Sequence, residues 1–257
     1  MCFPPVHDRF VGGVRDGSGR AIDLALVLSC EHGGKSIPAR YAALFRAHRR
    51  ALDGHRGYDT GSLELARRLA RDTGAPLFAS TVSRLLVDLN RSLRHRAIFS
   101  DATRALPAIE RERIIARYYL PHRLGVRNAV AERLRAGLRV VHLSIHSFTP
   151  VMAGKRRNAD VGLLYDPSRR FERELSVAVQ QALGRFAPET RVRRNYPYRG
   201  IADGHTTSLR REFSGATYAG IEIEINQAIA LGPAEPWRRL QNDVARAVRA
   251  VILGGGS

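Results

Sequence analysis

The sequence predicts an α/β domain built on a mainly parallel sheet, and three observations lead there. Apolar runs of strand length alternate with helical stretches along the chain. The first run, "IDLALVLSC" (22–30), is apolar almost throughout, as a strand covered on both faces must be. Polar clusters, "SCEHGG", "DLNR" and "SIHSFTP", stand where such runs stop. In open α/β sheets, ligands bind beyond the carboxyl ends of strands.

Each element follows in turn. "EHGGKSIP" closes the first strand as a turn, and its glycines let the backbone bend and leave room for a ligand. "DTGSLELARRLARDTG" reads as a helix, with Asp59 or Thr60 as N-cap and Gly74 as its stop. "PLFAST" and "RLLVDLN" are two short strand-like runs. A long helix covers about 109–136 and leads into the strand "LRVVHLSI". "VGLLYD" is a further short strand, followed by the helix "RRFERELSVAVQQALGRF". "YAGIEIEIN" alternates polar and apolar residues, the pattern of a strand with one wet face. A last helix runs from about Glu235 to Val251, and "GGGS" reads as a frayed terminus. No internal repeat or composition break divides the chain, so one domain over residues 1–257 is expected.

Composition narrows the function classes. With 257 residues, 44% of them hydrophobic, the chain can bury a sizeable core. No window has the apolar length of a bilayer span. "MCFPPVHDRF" lacks a basic segment followed by an apolar one, so no secretory signal is expected. Cys2 and Cys30 are too few for a disulfide framework. These features point to a cytoplasmic enzyme or binding protein. The formal charge of +18 would suit nucleic acid or anionic membranes. Yet the basic residues are nearly all arginine, Lys35 and Lys155 being the exceptions, and in the long helix they mix with Glu110, Glu112 and Glu132. There is no basic tail and no helix-turn-helix or zinc-finger spacing. A general arginine bias explains the charge at least as well, so neither a nucleic-acid nor a membrane partner is expected.

Several residues could carry chemistry. His32 follows a buried strand and precedes Gly33-Gly34; His146 follows "LSI" in the same way. Each could instead be a loop-capping histidine. His142, among apolar neighbours, reads as a hydrogen-bonded core residue. Hydrolytic zinc sites commonly use three His or carboxylate ligands and keep one position open. His32 and His146 could supply two nitrogens, and Asp59 in "GYDTG" the oxygen, unless Asp59 is only a helix cap. In "SRLLVDLNR", Asn90 and Arg91 could bind a carboxylate, with Arg84 nearby; the alternative is a salt bridge from Arg91 to Asp88. Glu222, Glu224 and Asn226 fall on one strand face, where a glutamate could face water, pair with arginine or act as a general base. The loops "NYPYRG" and "DGHTTS", holding Arg199 and His205, could line a substrate mouth.

"EHGG", "GYDTG", "SRLLVDLNR", "HSFTP" and "IEIEINQ", in that order from about Leu26 to Gln227, resemble the N-formylglutamate amidohydrolase family. "DLNR" is also similar to a motif of zinc carboxypeptidases and aspartoacylase-like deacylases. The resemblance implies a three-layer α/β/α fold with a central mixed, mainly parallel sheet and one catalytic zinc ion per chain. It implies hydrolysis of a small N-acyl amino acid, in the family's named case N-formyl-L-glutamate to formate and glutamate. His32, Asp59 and His146 would be the metal ligands. Glu224 would be the general base, with Glu222 in reserve. Arg91 and Asn90, with Arg84, would hold the substrate carboxylate. The chain departs from the His-x-x-Glu pattern of the wider peptidase group, because Lys35 stands where the Glu would be. The other readings are a deacylase or carboxypeptidase-like hydrolase with a different substrate, and a basic binding protein without the chemistry. The oligomeric state is left open.

Overall fold

The three longest strands build the centre of the molecule. They are β2 (Ala21–Cys30), β4 (Arg139–Phe148) and β7 (Tyr218–Asn226), side by side and parallel. The other strands are β1 (Gly12–Arg15), β3 (Leu77–Ala79), β5 (Val161–Leu164) and β6 (Val192–Arg194). The order is β1-β2-β4-β7-β5-β6, with β3 also pairing β2. β1 runs antiparallel to β2 and β5 antiparallel to β7; the remaining pairs are parallel. The structure is a computed structural model and describes residues 12–15 and 21–254. The readings of residues 1–10 and of the end of the terminal "GGGS" lie outside these.

The two faces of the sheet differ in chemistry. Leu24, Leu26 and Leu28 of β2, Val141, Leu143 and Ile145 of β4, and Ile221, Ile223 and Ile225 of β7 share one apolar cluster. It is closed by α1 (Ser62–Thr73), α4 (Arg170–Phe186) and α6 (Ala234–Val248) through Leu65, Leu69, Val179, Leu183, Leu240 and Val244. On the other face, Ala25, Val27 and Val140 pack against Val126 and Val130 of α3 (Leu120–Arg135) and Leu209 of α5 (His205–Glu212). Toward the strand ends this second face becomes polar: His142, Ser144 and His146 in β4, Glu222 and Glu224 in β7. The fold is a three-layer α/β/α arrangement on a mixed, mainly parallel sheet. Among the described residues, no helix is long and apolar enough to cross a membrane.

Four sequence expectations change. The alternation of "YAGIEIEIN" is real, but all nine residues of β7 are buried, so its polar face is an interior polar surface and not a wet one. "RLLVDLN" forms turns and no strand. Ser83 Oγ accepts from the Leu85 amide (3.2 Å) and Asp88 Oδ1 from the Asn90 amide (3.0 Å), local bonds that compete with a ladder. Its apolar side chains Leu85, Leu86, Val87 and Leu89 still bury, in a separate cluster with Tyr41, Phe45 and Ile114. Helix α1 starts later than expected, at Ser62. Gly61, at φ 83°, precedes it, which leaves the Asp59 side chain uncommitted to the helix end. The long helix is broken by a π-helical turn, Ile115–Tyr119, between α2 (Ala108–Ile114) and α3. Pro121 stands just after it; proline lacks the amide and clashes with the preceding turn, and a π-turn relieves both.

Other expectations hold. Gly74, at φ 68°, stops α1 with its amide on Ala70 O. His142 is a core histidine, bonded to Ser29 Oγ (2.8 Å) and Tyr218 Oη (3.0 Å). The final helix continues past Val248 as a π-helical turn, Arg249–Leu253.

Candidate metal centre and active site

His32 leaves the end of β2 at a point where the chain must approach its neighbour closely. A Cβ on Gly34 would lie 2.6 Å from the Thr81 carbonyl oxygen. The glycines after His32 therefore serve backbone packing and not, as expected, space for a ligand. This turn, the loop before α1 and the end of β4 bring His32, Asp59 and His146 together. Asp59 Oδ2 lies 3.4 Å from His32 Nδ1 and 2.9 Å from His146 Nδ1. All three residues are buried. One donor atom from each lies within 4.8 Å of the others, so the group can hold a metal ion.

The far sides of both imidazoles are held too. Asp88 Oδ1 lies 2.8 Å from His32 Nε2; Ser144 Oγ (2.9 Å) and Glu31 Oε2 (3.3 Å) lie beside His146 Nε2. Metal-binding histidines are oriented in this way, the second nitrogen on a carboxylate. The network so joined contains the carboxylates of Asp59, Asp88 and Glu31 and one guanidinium, Arg84. Three against one leaves two negative charges in a buried region, and buried charge must be matched. A divalent cation between two Nδ1 atoms and a carboxylate would match it. Burial alone would raise the Asp59 and Asp88 pKa values, but His32 and Arg84 outweigh it and hold both well below the ordinary carboxylate range. Burial would lower His146, yet Asp59 and Glu31 push it well above the ordinary imidazole value. That position calls for positive charge, a proton or a metal ion.

Glu224 is the next strand's answer to His146: the two are paired in register between β7 and β4. It is buried, and its Oε2 has no hydrogen-bond partner. Burial, with Asp59 and Glu222 nearby, pushes its pKa up to about 8, despite His146 acting the other way. Glu222, two residues earlier on the same face, accepts from Thr206 Oγ1 at 2.8 Å. Both glutamates, the His-Asp-His group, Arg91, Arg199 and Tyr198 line a cavity of about 440 Å³. Met152, in the hairpin formed by Val151–Met152 and Lys155–Arg156, lies at its border.

No curated protein matches the chain. A family model described as N-formylglutamate amidohydrolase matches residues 24–231. The chain belongs to that family. It is accordingly a hydrolase acting on an amide bond. Two solved structures are similar over nearly the whole chain. One is a gene product of Agrobacterium tumefaciens, 29% identical, with a TM-score of 0.73, covering 88% of this chain and 91% of that one. The other is the N-formylglutamate amidohydrolase of Ralstonia eutropha JMP134, 24% identical, with a TM-score of 0.70, covering 90% and 94%; it shares the fold.

Within this member of the N-formylglutamate amidohydrolase family, the residues expected at the site are brought together unevenly. His32, Asp59, His146, Glu222 and Glu224 converge, and Asn90, Arg91 and Arg199 line the same cavity. Arg84 lines it too, but its guanidinium donates to Asp88 Oδ2 (2.7 Å from Nη2) and Asp59 Oδ1 (3.3 Å from Nη1). It anchors the carboxylates around the histidines, which leaves it little capacity for substrate. Asn90 Oδ1 accepts the His205 amide at 2.6 Å. His205 itself does not line the cavity. Its ring lies behind the site, with Nδ1 2.9 Å from Glu31 Oε1 and His122 on the same oxygen at 3.4 Å. Arg91 forms no salt bridge to Asp88; its Nη1 donates to the Asp203 carbonyl at 3.0 Å.

Sequence reasoning gave no role to Glu31, Ser144 or His122. Glu31 carried a signal, an acid ending an apolar run directly before His32. His122 carried none: it sits in an arginine-rich helix, and only the tertiary fold brings it to Glu31.

Proposed function

We propose that this protein is a metal-dependent amidohydrolase with one zinc ion per chain, held by His32, Asp59 and His146, that cleaves an N-acyl amino acid. N-formyl-L-glutamate, giving formate and glutamate, is the favoured substrate. The observation that carries the reading is Glu224: a buried carboxyl with an unpartnered oxygen, set opposite the His-Asp-His group. The group's two nitrogens and one carboxylate are a donor set that suits zinc with a position left open. Such an ion would polarise the acyl carbonyl and make a water more acidic.

Glu224 takes the proton of the attacking water as the C–O bond forms. It then delivers that proton to the departing nitrogen as the C–N bond breaks, so the carboxyl ends as it began. Burial raises its pKa in the metal-free protein, and a divalent ion held opposite would lower it again, toward the range in which one group can both accept and return a proton. Arg84 keeps Asp59 and Asp88 ionised and oriented. Arg91 and Arg199 present guanidinium groups to the cavity, and among the described residues Arg91 makes no ion pair. They suit the carboxylates of an acidic amino acid. A broader N-acyl amino acid substrate is favoured only by the apolar border at Met152 and Tyr198.

The test is direct. Zinc-loaded protein should release glutamate from N-formyl-L-glutamate, lose the activity to a chelator and regain it with zinc. Arg91→Lys should keep its metal and raise KM for the acidic substrate by about tenfold to a hundredfold. That is the cost of losing a charge-assisted, two-pronged bond, roughly 1.5–3 kcal/mol. An unchanged KM would move the carboxylate site to Arg199.

A further inference from the structure

His146 differs from His32 in how its far nitrogen is held. His32 Nε2 faces Asp88 directly, and a carboxylate can only accept, so the proton sits on Nε2. Beside His146 Nε2 stands a hydroxyl, which can donate or accept. The Ser144 hydroxyl has one proton, and it is donated to Glu31 Oε2 at 2.7 Å. Ser144 Oγ must then accept from His146 Nε2, 2.9 Å away. Glu31 therefore decides, through Ser144, that His146 keeps a proton on Nε2, so that Nδ1, which donates to Asp59 Oδ2 (2.9 Å) when no ion is bound, is the nitrogen that a metal ion can take. Glu31 is itself fixed, because its other oxygen lies between His205 Nδ1 and His122 Nε2.

We propose that Glu31 is a positioning residue for metal binding: acting through Ser144, and held by His122 and His205, it locks the tautomer and ring orientation that make His146 a ligand. This inference rests on the reading that His32, Asp59 and His146 hold a metal ion. Glu31, His122 and His205 also bring three donor atoms within 4.8 Å of one another and could in principle hold an ion of their own. Two features assign them to support instead. One divalent ion at the first site already balances the surplus charge of the joined network, so a second would leave two positive charges buried. Glu31 is also already engaged by Ser144 and by His146 on its other oxygen.

Cobalt(II), followed by its visible absorption, is the probe. Metal-free wild-type protein should bind one equivalent. Glu31→Gln should bind cobalt about 10–100-fold more weakly, the usual effect of losing an outer carboxylate. It should also shift the absorption band, with the circular dichroism spectrum retained. Ser144→Ala, a smaller change and the safeguard should Glu31→Gln fail to fold, should weaken binding in the same direction. Wild-type affinity in a folded Glu31→Gln or in Ser144→Ala, with only thermal stability lowered, would make the cluster merely structural and overturn the proposal. A second wild-type equivalent that disappears in His122→Ala would overturn it in favour of a second metal site. No cobalt binding by wild-type protein would defeat the metal reading itself and this inference with it.

Discussion

Replacing His146 by alanine is expected to abolish metal binding and hydrolysis together. His146 supplies one of three donor atoms and is the closer of the two imidazoles to Asp59, at 2.9 Å. Its loss leaves Asp59 and Glu31 facing one another without the ring between them. The ion's contribution to an acyl transfer is several kcal/mol, and each 1.36 kcal/mol is tenfold in rate. Turnover should fall on the order of 10³-fold or more, and metal analysis of the purified variant should show far less than one ion per chain. His32→Ala should behave alike, since Asp88 would then lose its imidazole and Asp59 its second one. Should the alanine variant unfold, His146→Gln preserves more of the volume and must show the same loss of metal. One retained ion per chain in either folded variant would remove these histidines from the ligand set.

Glu224→Gln should give the opposite dissociation: metal kept, chemistry lost. The amide has nearly the shape of the acid but cannot accept the proton of water. Turnover should fall about 10²- to 10⁴-fold, with the metal content and KM little changed. Glu222→Gln serves as the comparison, because Glu222 is already bonded to Thr206. A larger loss there would exchange the two roles. A stability measurement on metal-free protein gives a second readout. The folded Glu224 carboxyl keeps its proton up to about pH 8, whereas the ordinary value is 4.5. The folded form thus binds the extra proton between these values, and stability falls as pH rises through that window. Glu224→Gln abolishes this loss. Chelated at pH 9, it should be more stable than wild type by an amount of order 5 kcal/mol at most. At pH 4 the two should differ little.

The sheet was legible because long apolar runs have few other places to go. Leu24–Leu28, Val140–Ile145 and Ile221–Ile225 form its centre. The polar face was legible as a pattern but not as an interior, since one strand's alternation cannot tell which helices will cover it. "RLLVDLN" misled because burial and strand formation are separate events: its apolar residues buried themselves while Ser83 and Asp88 wound the backbone into turns. At the site, His32, Asp59 and His146 were readable from their positions after strands and before a helix. Asp59 does not cap α1, because Gly61, in a left-handed turn, takes over the start of that helix. Arg84 and His205 were given to substrate because both are polar and near the right motifs. Their engagement with Asp88 and Glu31 depends on residues 4 and 174 positions away, and the second distance has no local trace.

The two faces of the sheet also set different rules for how this sequence can drift. On the apolar face, volume is the main constraint, and one aliphatic residue can replace another with a modest local adjustment. On the polar face, Ser144 and His146 of β4 are joined donor to acceptor with the acid that follows β2, and Glu222 of β7 with Thr206 of α5. Exchange of one member strands its partners, so tolerated changes must arrive in sets and their effects will not add. Two lineages could therefore diverge freely across the first surface while remaining epistatically locked on the second. Chimeras that swap single strands between such lineages should fail far more often through the polar side than through the hydrophobic core.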